Sequence, residues 1–345
     1  MTSDSLTDVA GLRVGHATLT GDGQLTGTTV VLAPEGGAVA AVDVRGGGPG
    51  TRETDALDPR NLVQRVEAIV LTGGSAYGLD AAAGVMAWLE EHGRGVRVGP
   101  DPSHVVPVVP AACVFDLGRG GDFGARPDAA TGRAAVEAAA VTAPFAPVGQ
   151  GNVGAGTGAV VGRVKGGVGS ASVRLASGIT VAALVVANAA GSGLDPATGA
   201  LYGRYFEEGE GRQDPRPAPE VHQAAERRLA EVAAENGPQP LNTTLAVVAT
   251  DAGLTKAQAQ KLAGTSHDGM ARAVRPVHLL NDGDTVFALA TGAHPLADDP
   301  LALNEILAAG ADLVTASIVR AMLAADSVKT PGGTFPSYRD LYAKR

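Results

Sequence analysis

Short hydrophobic runs alternate along the chain with polar and glycine-rich turns, and run length and periodicity distinguish strands from helices. The shorter, β-branched runs predict strands at residues 12–14, 27–32, 37–44, 66–74, 179–188, 243–254 and 284–291. Longer Ala- and Leu-rich runs predict helices at residues 131–142, 222–237, 256–273 and 301–326, and in the stretch SAYGLDAAAGVMAWLEEHGRG, which His92-Gly93 closes. This alternation predicts an α/β protein.

Small residues dominate the composition: 48 of the 345 residues are glycine, and aromatic residues make up only 3%. Such residues permit the close approach of sheets and helices, so we expect tightly packed layers. The acidic, proline-rich segment 204–241 resembles a linker, but the elements on its two sides look like parts of one sheet system. We therefore predict a single domain over residues 1–345, with this segment as an excursion.

The charge and the cysteine content exclude several classes of function. A net charge of −9 and no run of Lys or Arg argue against a nucleic-acid partner. A single cysteine, Cys113, excludes an intrachain disulfide and a multi-cysteine metal site, and its apolar strand predicts a core residue. The N-terminus lacks the features of a signal peptide, and apolar stretches such as 181–190 are too short to span a membrane. We expect a cytoplasmic protein that does not bind membranes.

The candidate chemistry lies at Asn242-Thr243-Thr244, where a prolyl, polar run meets a β-prone strand. A threonine hydroxyl is a weak nucleophile unless a base lies beside it, and the residue's own α-amine can be that base. An α-amine has a pKa of about 7.7–8.0, so much of it is neutral at physiological pH. The alternative is that these three residues have no catalytic role and only begin a β-strand.

Thr243 has a free amine only if the peptide bond after Asn242 is broken. The chain could break it by attack of the Thr243 hydroxyl on the preceding carbonyl, an N–O shift and hydrolysis of the ester. The flexible prolyl run 238–241 would let the old chain end move away. This hypothesis predicts a large chain, 1–242, and a small chain, 243–345.

Other motifs have weaker claims to chemistry. Ser75 lies at a strand–turn–helix bend, but Tyr77 occupies the position where a nucleophile elbow needs glycine, so we expect Ser75 to cap a helix. The stretches GNVGAGTGA and GRVKGG match neither the dinucleotide-binding pattern nor a P-loop, and we interpret their glycines as strand bends.

A metal site is the second weaker hypothesis. His267, His278, Asp282 and Asp284 could be imagined as ligands, but neither the HExxH nor the EF-hand spacing is present. The stretch NDGDT equally predicts a turn before a strand, so we expect neither a metal nor any other cofactor.

Several separate stretches, in order, carry a family resemblance: AVDVRGGGPGTRETD, VLTGGSAYGLDAAAGV, QGNVGAGTGA, KGGVGSAS and the region from NTTLAVVATDAGL to NDGDTVFALATG. Together they resemble the L-aminopeptidase/D-esterase family of self-cleaving amidases (peptidase S58), over nearly the whole chain. That family includes β-peptidyl aminopeptidases and, more distantly, hydrolases of nylon oligomers.

The resemblance implies a four-layer α/β/β/α sandwich like that of N-terminal-nucleophile hydrolases, with a different strand connectivity. It also implies autoproteolysis into two chains that stay associated, in a homo-oligomer such as a tetramer of cleaved heterodimers.

The resemblance also implies roles for individual residues. Thr243 matches the nucleophile and Asn242 the residue before the cut. Asn188 matches an amide that supports the oxyanion, and Asp282 and Asp284 match a pair that orients the new α-amine.

Two departures from the family pattern concern a lysine and a tyrosine. Where some relatives have a lysine, this chain offers Arg163, with Lys165 two residues later. Only Lys165 could take up a proton, because arginine stays protonated. Phe115 stands where the nylon-oligomer hydrolases have a tyrosine, which puts nylon-type contacts in doubt, and Tyr77 is a candidate for lining the pocket.

The sequence therefore predicts an N-terminal-nucleophile aminopeptidase or amidohydrolase acting on small peptides, amides or esters. The alternatives are a nylon-oligomer endo-amidase on the same scaffold and an uncleaved relative that only binds. The choice between α- and β-peptides, and between L- and D-residues, stays open.

Overall fold

The computed structural model describes residues 3–206, 214–236, 241–297, 299 and 301–343. Its α-helices, in chain order, are α1 (Ser75–Gly78), α2 (Ala81–Glu91), α3 (Ala129–Val141), α4 (Pro219–Asn236), α5 (Lys256–Ala273), α6 (Ala302–Ala324) and α7 (Tyr338–Tyr342). Short 3-10 helices lie at Leu6–Asp8, Asp55–Leu57, Gly154–Gly156 and Tyr202–Phe206.

Within the described residues, the strands form two large sheets and three two-stranded ribbons. In chain order they are β1 (Arg13–Gly21), β2 (Gln24–Leu32), β3 (Ala38–Val44), β4 (Thr51–Arg52), β5 (Arg65–Val66), β6 (Ala68–Thr72), β7 (Val96–Arg97), β8 (Val105–Val106), β9 (Ala111–Cys113), β10 (Val160–Val161), β11 (Val164–Lys165), β12 (Gly167–Arg174), β13 (Thr180–Ala187), β14 (Leu245–Ala252), β15 (Thr285–His294), β16 (Val328–Thr330) and β17 (Gly333–Phe335).

The first large sheet has the strand order β1-β2-β6-β9-β4, and the second has the order β12-β13-β14-β15-β3-β5. In the second sheet β13 and β14 are antiparallel, whereas β14 and β15 are parallel. β14 therefore lies in the interior of its sheet, with a neighbour on each side.

Hydrophobic side chains divide the sandwich into four layers. One cluster, with Ile69 and Leu71 of β6 and Leu184 of β13, fills the space between the two sheets. A second covers the outer face of the first sheet with α2 and α3, and a third covers the outer face of the second sheet with α5 and α6. The layers are thus α/β/β/α, because each sheet buries both of its faces.

The alternation along β14 shows how the sequence produces these layers. Its eight residues are all buried. Leu245 and Val247 point into the cluster between the sheets, whereas Ala246 and Val248 point toward the helices. A strand buried on both faces needs a continuous apolar run, which explains the pattern LAVVATDA.

Helix α6 is the one helix in the described part of the chain that is long and apolar enough to cross a membrane. It has the length and composition of a membrane span, with a mean hydropathy of 1.7 over its most apolar 18 residues. However, 67% of this 18-residue stretch is buried inside the protein, and α6 packs against α5, β12 and β13. It therefore has the position of a core helix. It is also longer than the apolar stretch 181–190, which was considered above as a possible membrane span.

Most predicted elements occur close to their predicted bounds, but β1 extends to Gly21, well beyond its predicted end at Val14, and several other elements also differ. The predicted helix beginning at Ser75 is two helices, α1 and α2. The N-cap of α1 is Gly74, at φ +78°, and the Ser75 side chain makes no cap hydrogen bond, so the prediction that Ser75 caps the helix was wrong. β14 begins at Leu245, two residues after the predicted start. Gly237, the predicted end of α4, lies outside the described residues, as do residues 207–213 and 237–240 of the predicted excursion.

Candidate active site

Three neighbouring strand ends bring the candidate residues together. β13 ends and the antiparallel β14 begins at the same edge of the sheet, because Val186 pairs with Leu245. The parallel β15 begins beside β14, because Leu245 also pairs with Thr285. The residues just beyond these ends therefore meet, and they include Asn188, Thr243 and Asp284.

The peptide bond between Asn242 and Thr243 is buried and closely held. Thr243 is 4% exposed and Asn242 is 5% exposed. The amide of Thr243 donates to the backbone carbonyl of Asn188 at 2.7 Å, and the amide of Asn242 donates to the carbonyl of Asn281 at 3.1 Å. The Thr243 hydroxyl donates to the carbonyl oxygen of Asn242 at 2.5 Å. The hydroxyl thus lies against the carbonyl group that self-cleavage would attack.

Gly283 leaves the room that the Thr243 hydroxyl occupies. A Cβ added to Gly283 would lie 2.7 Å from Thr243 Oγ1 and 2.9 Å from the carbonyl oxygen of Gly48. Real Cβ atoms do not approach other atoms so closely, so only glycine fits without a shift. The sequence suggested a turn in NDGDT, but it could not show this contact.

The side-chain amide of Asn188 has one orientation. Its Oδ1 accepts from Nη1 of Arg119 at 2.5 Å and from the amide of Val160 at 2.9 Å. Its Nδ2 donates to the carbonyl of Phe115 at 3.3 Å. Because both acceptor positions are used, Nδ2 is the group left to donate toward a developing oxyanion.

Asp284 anchors the segment beside the nucleophile. Its Oδ1 accepts from the amide of Thr244 at 2.8 Å, and its Oδ2 accepts from the amide of His278 at 3.1 Å and pairs with Nδ1 of His278 at 2.8 Å. Among the described residues, these bonds fix the residue after Thr243 rather than Thr243 itself. The role of Asp284 in orienting the α-amine stays a prediction.

Asp282 lies in the same turn with a different partner. Its Oδ1 accepts from the amide of Ala190 at 3.1 Å. Burial, and then the charge of Asp284, raise the pKa of Asp282 to about 6. A proton held near neutral pH makes this carboxyl a candidate for proton exchange near the cut.

We predict that Asp282→Asn stabilises the folded protein above about pH 6. An unfolded aspartate ionises near 3.8, so between about pH 4 and about pH 6 the folded chain keeps a proton that the unfolded chain has lost. Stability is therefore lost as the pH rises through this range, and asparagine removes the loss while still accepting from the Ala190 amide. Melting temperatures of both proteins measured across this range should diverge as the pH rises. An equal difference at every pH would contradict the shifted pKa.

Lys165 is fully buried beside the glycine-rich loop of residues 156–166. Its Nζ donates to the carbonyls of Gly156, Ala159 and Gly166 at 3.2, 2.9 and 2.8 Å. Burial, and then the charge of Arg119, lower the pKa of Lys165 to about 7. The amine can therefore gain or lose a proton near neutral pH.

The two candidates for the family lysine have different surroundings. Arg163 is partly exposed and pairs with Glu226 at 3.0 Å, away from the buried loop that Lys165 contacts. Position therefore favours Lys165 over Arg163. The described residues show no hydrogen bond between Lys165 and Thr243, so its part in proton transfer stays a prediction.

Arg119 is the residue that the sequence did not single out. It is 2% exposed and donates to the side chains of Asn188 and Asn242 and to the carbonyl of Gly158. Asp116 is the acidic group that favours its charge, and Gly74 donates to that carboxyl at 2.7 Å. Its only sequence signal was its place in an arginine- and glycine-rich loop, and no spacing rule connects that loop to Asn242.

The two predicted pocket residues have different surroundings. Phe115 is half-buried, and its carbonyl accepts from Asn188. Tyr77 is 59% exposed, with the guanidinium of Arg126 3.8 Å above its ring. Cys113 is buried in β9, and burial raises the pKa of its thiol to about 12, as expected of an unreactive core residue. The substrate contacts of Phe115 and Tyr77 stay predictions.

A cavity of about 530 Å³ adjoins the residue before the cut. Its lining includes Asn242, Asn281 and Leu229 of α4. The Arg163–Glu226 ion pair also lines this cavity. The space lies on the acyl side of the scissile bond.

The histidines considered as metal ligands have other partners. His278 pairs with Asp284, and Nε2 of the buried His267 lies 3.0 Å from the carbonyl of Asp43. Burial lowers the pKa of His267 to about 4, so it is neutral near pH 7. Within the described ranges, no group of three His, Cys, Asp or Glu side chains could hold a metal ion.

The fold is an α/β/β/α sandwich, and comparison with known proteins identifies the family of the chain. The model of peptidase family S58 matches residues 4–335. The chain therefore belongs to peptidase family S58 and is a peptidase or amidohydrolase. The family and the class of fold predicted from the sequence are confirmed.

Individual relatives agree with this assignment. An uncharacterized aminopeptidase of Mycobacterium bovis is 47% identical over 359 aligned positions, covering 98% of each chain. A 6-aminohexanoate-oligomer endohydrolase of a Kocuria species is 34% identical over 286 positions, covering 80% of this chain and 72% of that relative. The solved structure of the L-aminopeptidase D-Ala-esterase/amidase of Ochrobactrum anthropi, described as a variant of the Ntn hydrolase fold, has a TM-score of 0.71 at 21% identity and covers 97% of this chain and 91% of its own.

Proposed function

We propose that this chain cleaves itself after Asn242 and that the new N-terminal Thr243 is the nucleophile of an aminopeptidase or amidohydrolase. The observation that carries the proposal is the 2.5 Å contact between Thr243 Oγ1 and the carbonyl oxygen of Asn242. The hydroxyl lies against the carbonyl that it would attack, and both residues are buried and held by backbone hydrogen bonds, which is the arrangement that favours an intramolecular attack.

In the cleavage step, Thr243 Oγ1 attacks the carbonyl carbon of Asn242 and loses its proton. The C–N bond breaks as the Thr243 nitrogen takes up a proton, which leaves an ester between the two residues. Water then hydrolyses the ester. The products are a carboxylate on Asn242 and a free α-amine and hydroxyl on Thr243.

In turnover, the Thr243 α-amine accepts the hydroxyl proton while Oγ1 attacks the substrate carbonyl. Asn188 Nδ2 donates to the oxyanion, and the α-amine returns the proton to the departing amine or alcohol. Water hydrolyses the acyl-enzyme in the same way. Before the cut, the carbonyl of Asn188 already accepts from the Thr243 nitrogen at 2.7 Å, and the same bond would hold the α-amine.

Lys165 is proposed to take part in these proton transfers. Lys165→Met keeps the length of the side chain and removes a buried amine, so we expect it to fold but to lower kcat by about 100-fold, as the loss of a general acid or base does. Measurement of kcat per cleaved molecule, with a thermal melt to check folding, tests this. A folded variant with native kcat would exclude the role.

The aminopeptidase reading is favoured because the Mycobacterium bovis relative carries that name and is the more similar relative. The endo-amidase alternative is supported by the Kocuria relative at 34% identity. Assays with the same amide, once with a free N-terminus and once N-acetylated, and with 6-aminohexanoate oligomers separate the two. Hydrolysis only of free-amine substrates supports an aminopeptidase, and hydrolysis inside blocked oligomers supports an endo-amidase.

A non-catalytic binding role would require an uncut chain that hydrolyses none of these substrates, and membership of a peptidase family argues against it. We further propose that the two cleaved chains stay associated in a homo-oligomer, such as a tetramer of heterodimers, in the cytoplasm. Mass measurement of the native assembly tests the oligomeric state.

A further inference from the structure

Arg119 joins the two amide side chains on which the proposed chemistry depends. Its Nη1 donates to Asn188 Oδ1 at 2.5 Å, and its Nη2 donates to Asn242 Oδ1 at 2.7 Å. The planar guanidinium can donate to both oxygens at once, which a lysine ammonium on a flexible stem does less well. A third bond, to the carbonyl of Gly158 at 2.7 Å, fixes the plane of the group.

The guanidinium stays charged although it is buried. Burial lowers the pKa of Arg119 to about 10, and Asp116 opposes the shift. Lys165 is the other basic group nearby, and its own pKa is lowered in part by Arg119. At neutral pH, Arg119 is therefore a permanent donor that cannot accept a proton, so it can position groups without exchanging protons with them.

The bond to Asn188 decides which end of that amide faces the reaction. A side-chain amide can rotate by half a turn, and the two arrangements exchange donor for acceptor. With Arg119 and the Val160 amide donating to Oδ1, the rotated form would place an NH₂ group against two donors. Arg119 thereby keeps Nδ2 available for the oxyanion.

The bond to Asn242 holds the acyl side of the scissile peptide. The backbone amide of Asn242 is fixed by Asn281, and the amide of Thr243 is fixed by Asn188. Arg119 adds a third restraint through the Asn242 side chain. The carbonyl of Asn242 is consequently restrained on both sides while it lies against the Thr243 hydroxyl.

We infer that Arg119 is a positioning residue with two functions in this site, and the inference rests on the function proposed above. Before the cut it aligns the Asn242 carbonyl with the nucleophile through the Asn242 side chain. In turnover it keeps the Asn188 amide in the orientation that donates to the oxyanion. Arg119 touches neither the Thr243 hydroxyl nor the scissile carbonyl, so it acts through these two side chains.

The first test compares Arg119→Met and Arg119→Lys with a matched control, Arg94→Met. Arg94 is also a largely buried arginine bonded to a carboxylate, that of Glu67, and to the backbone carbonyl of Ala33, but it lies at the opposite end of β6 from the Asp116 loop. Intact-mass spectrometry over time gives the cleavage rate, and kinetics normalised to the cleaved fraction give kcat and KM.

We expect Arg119→Met to slow cleavage and to lower kcat per cleaved molecule, each by at least about 30-fold, with KM changed by less than about threefold. Arg119→Lys should recover part of each loss, and Arg94→Met should lower only the melting temperature. A structural role alone would lower stability without the selective loss of kcat. If Arg119→Met folds and keeps native cleavage and kcat, the inference is wrong.

A second test does not depend on the folding of an Arg119 variant. Asn242→Leu and Asn242→Asp have similar sizes, but only aspartate offers an acceptor to Arg119. We expect Asn242→Leu to be cleaved at least about tenfold more slowly than Asn242→Asp. Equal cleavage rates of the two variants would contradict the restraint by Arg119.

The two proposals fail in different ways. If the native chain is not cut between Asn242 and Thr243, the proposed function fails, whatever Arg119 does. If the native chain is cut and active, and the Arg119 and Asn242 variants are cut equally well, only the role of Arg119 fails.

Discussion

Thr243→Ala is expected to leave the chain uncut and without hydrolytic activity. The change removes the hydroxyl that lies against the Asn242 carbonyl, at 2.5 Å in the native chain, so neither the ester nor the new α-amine can form. Loss of a nucleophile typically lowers kcat by about a million-fold, which leaves activity below detection in most assays. Intact-mass spectrometry and a hydrolysis assay on the same preparation measure both effects.

Thr243→Ser is the matched control for this loss. It keeps the hydroxyl and removes only the methyl group of a residue that is 4% exposed. We expect it to be cut and to hydrolyse substrate, with a reduced rate because the smaller side chain is less restrained. An uncut Thr243→Ala protein that hydrolyses substrate at the native rate would show that Thr243 is not the nucleophile.

Asn188→Asp is expected to have the second-largest effect, a decrease in kcat of about 100- to 1,000-fold. The aspartate replaces the Nδ2 donor with an oxygen that repels an oxyanion, and a lost oxyanion donor costs about 3–4 kcal/mol of transition-state stabilisation. The measurements are kcat per cleaved molecule and KM, and KM should change much less than kcat.

We expect Asn188→Asp to fold, because the change removes only one side-chain bond, that from Nδ2 to the carbonyl of Phe115. Its Oδ1 can still accept from Arg119 and from the Val160 amide, and the guanidinium favours a negative charge at this position. The backbone carbonyl of Asn188, which accepts from Thr243, is not altered. A folded Asn188→Asp protein with native kcat would exclude Asn188 as the oxyanion donor.

The sequence predicted the regular elements well where local signals decide the structure. Helix α5 has the predicted bounds, because Thr255 caps its first turn and Gln258 bonds back to Thr255. The strand ending at Ala187 and the helix α3 lie within two residues of their predictions. The short β16–β17 ribbon and helix α7 were not predicted, since elements of only three and five residues carry too little periodicity to recognise.

The candidate site was only partly predictable, for a different physical reason. Thr243, Asn188 and Asp284 follow or precede strands, so a family resemblance could place them at one sheet edge. The roles of Gly283 and Arg119 depend on contacts between distant parts of the chain, as when Arg119 reaches Asn242. No local pattern in the sequence records such a contact.

The most direct test of the central claim is N-terminal sequencing of the smaller chain in active, purified protein. Cleavage between Asn242 and Thr243 predicts the sequence Thr-Thr-Leu-Ala, together with fragments 1–242 and 243–345 by intact mass. A single uncut species that hydrolyses substrate, or a new N-terminus at another residue, would contradict the account.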